Sequence, residues 1–308
     1  MRVGIIGLGL IGGSMAIDLR RRGYASSVLG VEAESVNAAA AEKIGLVDKV
    51  VPLEECIREC DLLVLAVPVG AAARMLPEIL DRFGELEDSG SGAKGLTQTP
   101  EGAARTAGQA PRCGKIVIDV CSTKENLTRA VSSHPLRSRY VATHPMAGTE
   151  YSGPWAAQPG LFDGRACIIC NAEESDPAAV SEVERLYDAL NMRLIRMDAA
   201  NHDVHTAYVS HISHITSFAL ALTVLDKEKD EKHIFDLASG GFSSTVRLAK
   251  SSADMWVPIL SQNRENVLRV IDTYIEKMGE FREAISADDS EKIRSLIEEA
   301  NHIKRILR

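Results

Sequence analysis

Three glycines and one acid near the start of the chain have the types and spacing to hold a dinucleotide. Gly7-Leu-Gly9-Leu-Ile-Gly12 directly follows a short apolar run, Arg2 to Ile6, and directly precedes a helical run, Ser14 to Arg22, that stops at Gly23. In that context each glycine has a task. Gly7 permits a tight turn, Gly9 lets the backbone approach a pyrophosphate, and Gly12 lets the helix pack close to the strand with its N-terminal amides facing the anion. Glu32 ends the second strand, where a carboxylate accepts hydrogen bonds from the adenosine ribose hydroxyls. It would repel a 2′-phosphate, and no Arg stands at Ala33, Glu34 or Ser35 to welcome one. NAD is therefore expected in preference to NADP, with an FAD site as the alternative.

Hydride transfer needs a partner for the substrate as well, and three later segments concentrate the remaining chemistry. Asp119-Val-Cys-Ser122 and His144-Pro-Met-Ala-Gly148-Thr-Glu150 each lie at the C-terminal end of an expected strand, where such sheets bind ligands. The third group is helical: His202-Asp203, Ser210-His211-Ile-Ser-His214, then Gly240-Gly-Phe242, Arg247 and Trp256. Two H-x-x-H pairs within this group invite a zinc reading. At about 100° per residue, however, His202 and His205 fall on one side of a regular helix and His211 and His214 on the other, so one tetrahedral site cannot gather them. One pair is expected to face the core or cleft and the other solvent. Cys167-Ile-Ile-Cys170 has metal-ligand spacing but reads as a buried strand, where residues three apart point to opposite faces. No metal is expected.

The elements that must position these groups alternate along the first half of the chain. Short apolar runs at Val3 to Ile6, Val28 to Val31, Leu62 to Val67, Ile116 to Val120, Tyr140 to Thr143, Ala166 to Ile169 and Leu194 to Met197 are separated by helical patterns. This is the signature of an α/β, Rossmann-type, doubly wound sheet. After about Ala199 the strand signals stop, and amphipathic segments run from His202 to Leu225, Ile259 to Ile285 and Glu291 to Leu307. The expected organisation is a nucleotide-binding domain over 1–198 and an all-helical domain over 199–308. Leu260, Val267, Ile271, Tyr274, Met278, Phe281 and Ile285 form one apolar stripe, and helices this long with little chain left to cover them point to a homodimer. The stretch 84–114, rich in Gly, Ser, Thr, Pro and Ala, reads as a flexible surface insertion.

Composition bounds the rest. The 308 residues are 45% hydrophobic and 25% charged, enough for two modest domains. A net charge of −8 argues against a nucleic-acid surface, and the irregular spacing of six cysteines argues against a secreted disulfide framework. The glycines of the first turn disqualify the N-terminus as a signal helix, and no other stretch reads as a bilayer span. A cytoplasmic protein is expected, with neither nucleic acid nor membrane as a partner.

Taken in order from Gly7 to Trp256, these motifs resemble the prephenate dehydrogenase family of tyrosine biosynthesis. HPMAGTE after a D-x-x-S strand end, then S-H-x-x-H, then G-G-F followed by R-x-A-K and Trp, carries the resemblance. It implies a helical dimerisation domain after the nucleotide-binding sheet, and NAD-dependent oxidative decarboxylation of prephenate to 4-hydroxyphenylpyruvate. By resemblance His144 meets the C4 hydroxyl, Ser122 orients His144, Arg247 anchors a substrate carboxylate, His214 stands near the substrate or its entrance, and Glu150 stands at a gate. Ser243 and Ser244 depart from the charged residues that family members commonly carry after G-G-F, which argues against an ionic gate between Glu150 and Arg247. Arogenate, with an amino group for the side-chain keto oxygen, is the nearest alternative substrate. A reductase of 2-hydroxy acids or imines and a non-catalytic NAD-responsive dimer are more distant ones.

Overall fold

A computed structural model describes residues 1–90, 114–229 and 234–305. Eight strands form one sheet: β1 (Arg2–Ile6), β2 (Ser27–Val31), β3 (Lys49–Val50), β4 (Leu62–Leu65), β5 (Ile116–Asp119), β6 (Tyr140–Pro145), β7 (Ala166–Cys170) and β8 (Arg193–Met197). Their spatial order is β3-β2-β1-β4-β5-β6-β7-β8, and every neighbouring pair is parallel except β6 and β7. The chain reverses its winding between β1 and β4, so a crevice opens at their C-terminal ends. β4 and β5 bury every residue, as strands covered on both faces must.

The covering helices are α1 (Leu10–Arg21), α2 (Ser35–Lys43), α3 (Leu53–Glu59), α4 (Val69–Gly90), α5 (Glu125–Ala130) and α6 (Pro177–Ala189). Met15 and Leu19 of α1 share one core with Val183, Leu186 and Tyr187 of α6. Ile57, Leu76, Ile79, Phe83 and Leu127 from α3, α4 and α5 build the core on the opposite face. The doubly wound reading of the sequence therefore holds. It missed β3, which at two residues is too short to show a period, and it did not foresee that β7 runs antiparallel to β6, because an apolar strand reads the same in either direction.

The expected insertion needs a correction at its start. The chain does not leave the fold at Gly84; α4 continues to Gly90 on polar contacts that have no apolar period, including an Arg82–Glu85 ion pair at 2.7 Å and Ser89 Oγ donating to Glu85 O at 2.8 Å. The remainder of the expected insertion, up to Gly114, lies almost wholly outside the described residues.

Beyond β8 the described chain is helical, as expected: α7 (Ala199–Thr206), a π turn at Ala207–His211, α8 (Ile212–Glu228), α9 (Gly240–Thr245), α10 (Ala253–Gln262), α11 (Arg264–Ser286) and α12 (Ser290–Ala300). Asp198 caps α7 by accepting from Asn201 N at 2.8 Å. Ile259 to Ile285 is not one helix. It breaks at buried Asn263, whose amide turns inward to donate to Asp203 O at 2.6 Å and to His211 Nδ1 at 3.2 Å. Along α11 the stripe is buried at Val267 and Val270, but Tyr274, Ile275, Met278 and Ile285 are 43%, 61%, 53% and 64% exposed, so the described residues leave that face uncovered. The run Ala199–Glu228 is long and apolar enough, by length and composition alone, to cross a bilayer. This departs from the expectation that no stretch beyond the N-terminus reads as a bilayer span.

Candidate active site

The glycine turn is built by sterics. Gly7 has φ +96°, and a Cβ there would lie 2.4 Å from Ala66 O. At Gly12 a Cβ would lie 2.1 Å from Gly7 O, so only glycine lets α1 pack this closely onto β1. Gly9 differs. A Cβ on it would meet nothing nearer than Gly153 N at 4.0 Å, so it borders open space at the start of α1. Among the described residues no side chain caps α1, which leaves its first-turn amides to an anion. Glu32 follows β2 and is held against the turn, accepting from Leu8 N at 3.0 Å and Glu34 N at 3.2 Å. These residues fit a dinucleotide with a free 2′-hydroxyl.

The loop after β6 crosses this turn. Gln158 N donates to Ser14 Oγ at 3.0 Å and Gly160 N to buried Asp18 at 2.9 Å, tying the loop to α1. His144, the penultimate residue of β6 and opposite Ile168 of β7, is 9% exposed. Its Nδ1 lies 2.8 Å from His202 Nε2, and His202 Nδ1 lies 2.7 Å from Asp203 Oδ1. The Nε2 of His144 makes no hydrogen bond among the described residues and is not an enclosed atom. Burial first, then the neighbouring His202, Lys124 and His211, hold His144 well below the ordinary histidine range. It is neutral at pH 7 and free to accept.

Beneath the strand ends lies a fully buried ion pair between Lys124 and Asp119. Asp119 also accepts from Tyr140 Oη at 2.7 Å and Cys121 N at 3.0 Å. Burial disfavours the Lys124 ammonium, but Asp119 together with Cys121 and Cys170 outweighs it and raises the group above the usual lysine value. That fixed positive charge is one of those that keep His144 unprotonated.

His211 and His214 extend the site away from the sheet. His214 stacks on Trp256 with ring centroids 3.7 Å apart, and its Nδ1 lies 3.1 Å from Ser210 O. His211 meets the same indole edge-on at 5.8 Å. Burial lowers His211 to about 4, and burial together with the charge of Arg247 lowers His214. His211 Nε2 and Trp256 Nε1 are enclosed without a partner among the described residues. Arg247 Nη1 lies 3.0 Å from Glu150 Oε2. The ionic contact that Ser243 and Ser244 argued against is thus formed.

Two expectations change. Among the described residues Ser122 makes no hydrogen bond to His144; the group that holds His144 is His202, which the sequence reading placed in a motif without giving it a role. The histidine pairs are also not divided between two faces. His202 and His211 are 1% exposed, His214 is half-buried, and His205 alone of the four is exposed. The π turn between them holds one residue more than a regular turn and so swings His211 back by about 100° toward His202. No periodicity computed at a fixed angle could anticipate that.

Residues 15–87 and 103–196 match the family model described as prephenate dehydrogenase, nucleotide-binding domain, and residues 198–299 match prephenate dehydrogenase, dimerization domain. The chain belongs to the prephenate dehydrogenase family. Among its relatives, the prephenate dehydrogenase of Lactococcus lactis is 29% identical over 98% of this chain and 76% of its own length, and that of Bacillus subtilis is 28% identical over 94% and 71%. The crystal structure of prephenate dehydrogenase from A. aeolicus in complex with hydroxyphenyl propionate and NAD+ shares the fold with a TM-score of 0.80 at 26% identity, covering 99% of this chain and 97% of that one. The nucleotide-binding sheet followed by a helical unit, expected from the sequence, is thus the architecture of a prephenate dehydrogenase.

Proposed function

We propose that this chain oxidises and decarboxylates prephenate to 4-hydroxyphenylpyruvate, with NAD+ as hydride acceptor. Family membership over both halves of the chain supports the reaction. The observation that carries the chemistry is a neutral His144 at the C-terminal end of β6, before a loop tied to α1, with Nε2 unpaired among the described residues.

NAD, when bound, takes the hydride from C4 of the substrate; Gly7, Gly9, Gly12 and Glu32 are the residues proposed to hold it. His144 accepts a hydrogen bond from the C4 hydroxyl as that carbon gains carbonyl character. The ring carboxylate leaves as CO2 and aromatisation returns the oxygen as a phenol, so the histidine shares the proton without keeping it. Arg247 anchors a substrate carboxylate with the part of its guanidinium fork that Glu150 does not occupy. Glu150 holds that fork in place at the entrance, and His214, fixed by Trp256 and Ser210, lines the approach. Ser122, half-buried in the loop after β5, is assigned to orienting the reactants, without a direct bond to His144.

The protein is further proposed to act as a homodimer through the exposed apolar face of α11, with a domain division at Asp198 where α7 begins. A reducing cytoplasm suits its free thiols, including Cys56 and Cys60, which share an S–H···S hydrogen bond at 3.9 Å rather than a disulfide. Spectrophotometric NADH formation with prephenate and arogenate side by side tests the substrate. Turnover with prephenate is expected; turnover with arogenate alone would overturn the reading.

A further inference from the structure

We infer that His202 and Asp203 are positioning residues that fix the tautomer of His144, keeping its proton on Nδ1 and its Nε2 bare toward the substrate. The inference rests on the reading of His144 as the acceptor and concerns what makes it one.

The direction of each hydrogen bond follows from the end of the chain of contacts. Both oxygens of Asp203 accept from backbone amides at the start of α5: Oδ1 from Lys124 N at 2.8 Å and Oδ2 from Glu125 N at 3.0 Å. A carboxylate so held cannot rotate away, and it offers His202 only an acceptor. His202 Nδ1, at 2.7 Å, must therefore donate. Burial lowers the His202 imidazole, so the ring is neutral and carries one proton; its Nε2 is then the acceptor. That nitrogen lies 2.8 Å from His144 Nδ1, which must donate in turn. His144 is neutral as well, and its remaining nitrogen is left with a lone pair. Reversing His144 alone would face two lone pairs across 2.8 Å, and reversing His202 would set a lone pair against the carboxylate.

The relay is enclosed and braced. His202 and Asp203 are 1% and 2% exposed, so neither touches substrate. Asn263 holds the backbone of Asp203 from the break between α10 and α11. As the C4 hydroxyl shares its proton with His144, the positive character this creates is met by His202 and, beyond it, by the charge of Asp203. The same carboxylate caps α5, which follows Ser122 by three residues, so the two strand-end segments of the site are set relative to each other by one side chain.

Nitrogen-15 NMR of the imidazoles in the full-length protein reads the tautomer without reference to activity. His144 is expected with Nδ1 protonated and Nε2 bare; the opposite tautomer, or a mixture, would overturn the relay even in a fully active enzyme. In turnover, Asp203→Asn removes the charge behind His202 and sets an amide N–H against one of the three donors around that side chain, and His202→Leu removes the acceptor. Each is expected to lower kcat on the order of a hundredfold to ten-thousandfold with KM changed only severalfold. In His202→Gln the carboxamide oxygen can accept from His144 while its NH2 group donates to Asp203, and kcat is expected to return to within about tenfold of wild type. Equal activity of the Leu and Gln variants would overturn the inference. Should Asp203→Asn lose the α5 cap and fail to fold, the two His202 variants decide alone. Retained turnover in a His144 variant would instead remove the acceptor reading and leave the NMR result standing.

Discussion

Arg247 and Glu150 form an ion pair with Nη1 and Oε2 3.0 Å apart, joining the turn after α9 to the loop after β6. The pair forms although Ser243 and Ser244 bring no charge to that turn. Its strength as a surface contact is small; its value lies in orienting a guanidinium whose free N–H groups can take a carboxylate. Arg247→Ala is expected to raise KM for prephenate roughly 30- to 150-fold, with kcat changed much less. Glu150→Gln should raise KM by less than Arg247→Ala does. Steady-state kinetics of the two variants checks both.

The glycines of the first turn separate a folding role from a binding role. Gly12→Ala drives a Cβ to 2.1 Å from Gly7 O and should cost about 1–3 kcal/mol, seen as a lower melting temperature with or without cofactor. Gly9→Ala meets no protein atom closer than 4.0 Å and should melt as wild type. Its Cβ fills the space over the turn, so its loss should appear in NAD+ titration as an affinity weakened roughly tenfold or more.

Acid should act on rate and stability through the same histidines. His144 is held well below 6.5, so the acidic limb of kcat/KM is expected below the value of a free histidine. In the unfolded chain these imidazoles take up protons near 6.5, whereas folded His211 resists until about 4. The unfolded state therefore binds more protons in that interval. The stability this contributes is complete above 6.5 and is lost as the pH falls toward 4. Thermal unfolding across that range should show the decline, and a melting temperature flat from 6.5 to 4 would contradict it.

The uncovered face of α11 should report on assembly. Met278→Glu places a charge among Tyr274, Ile275 and Ile285, all exposed in the single chain. Sedimentation velocity is expected to show a dimer for wild type and a shift toward monomer for the variant. An unchanged dimer would move the interface elsewhere.

Much of this site is legible in the sequence because its glycines, strand ends and HPMAGTE run are local patterns. Gly7, Gly9 and Gly12 stand within one strand–turn–helix unit with Glu32 at the end of the next strand, and structure adds only which glycine is sterically forced. The His144–His202–Asp203 contact is different. It joins segments 58 residues apart and depends on a π turn whose phase no regular period encodes. The link between Arg247 and Glu150 spans 97 residues and formed without the charged neighbours that seemed necessary. The continuation of α4 to Gly90 was hidden for a local reason: its last turns are polar and sit beside glycine-rich sequence.

The most direct measurement is turnover of prephenate by His144→Asn, with NAD+ affinity measured on the same sample. If His144 accepts the hydrogen bond of the C4 hydroxyl, kcat should fall by about a hundredfold to ten-thousandfold while NAD+ binds as in wild type. A variant that binds NAD+ normally and turns over prephenate at the wild-type rate would contradict it.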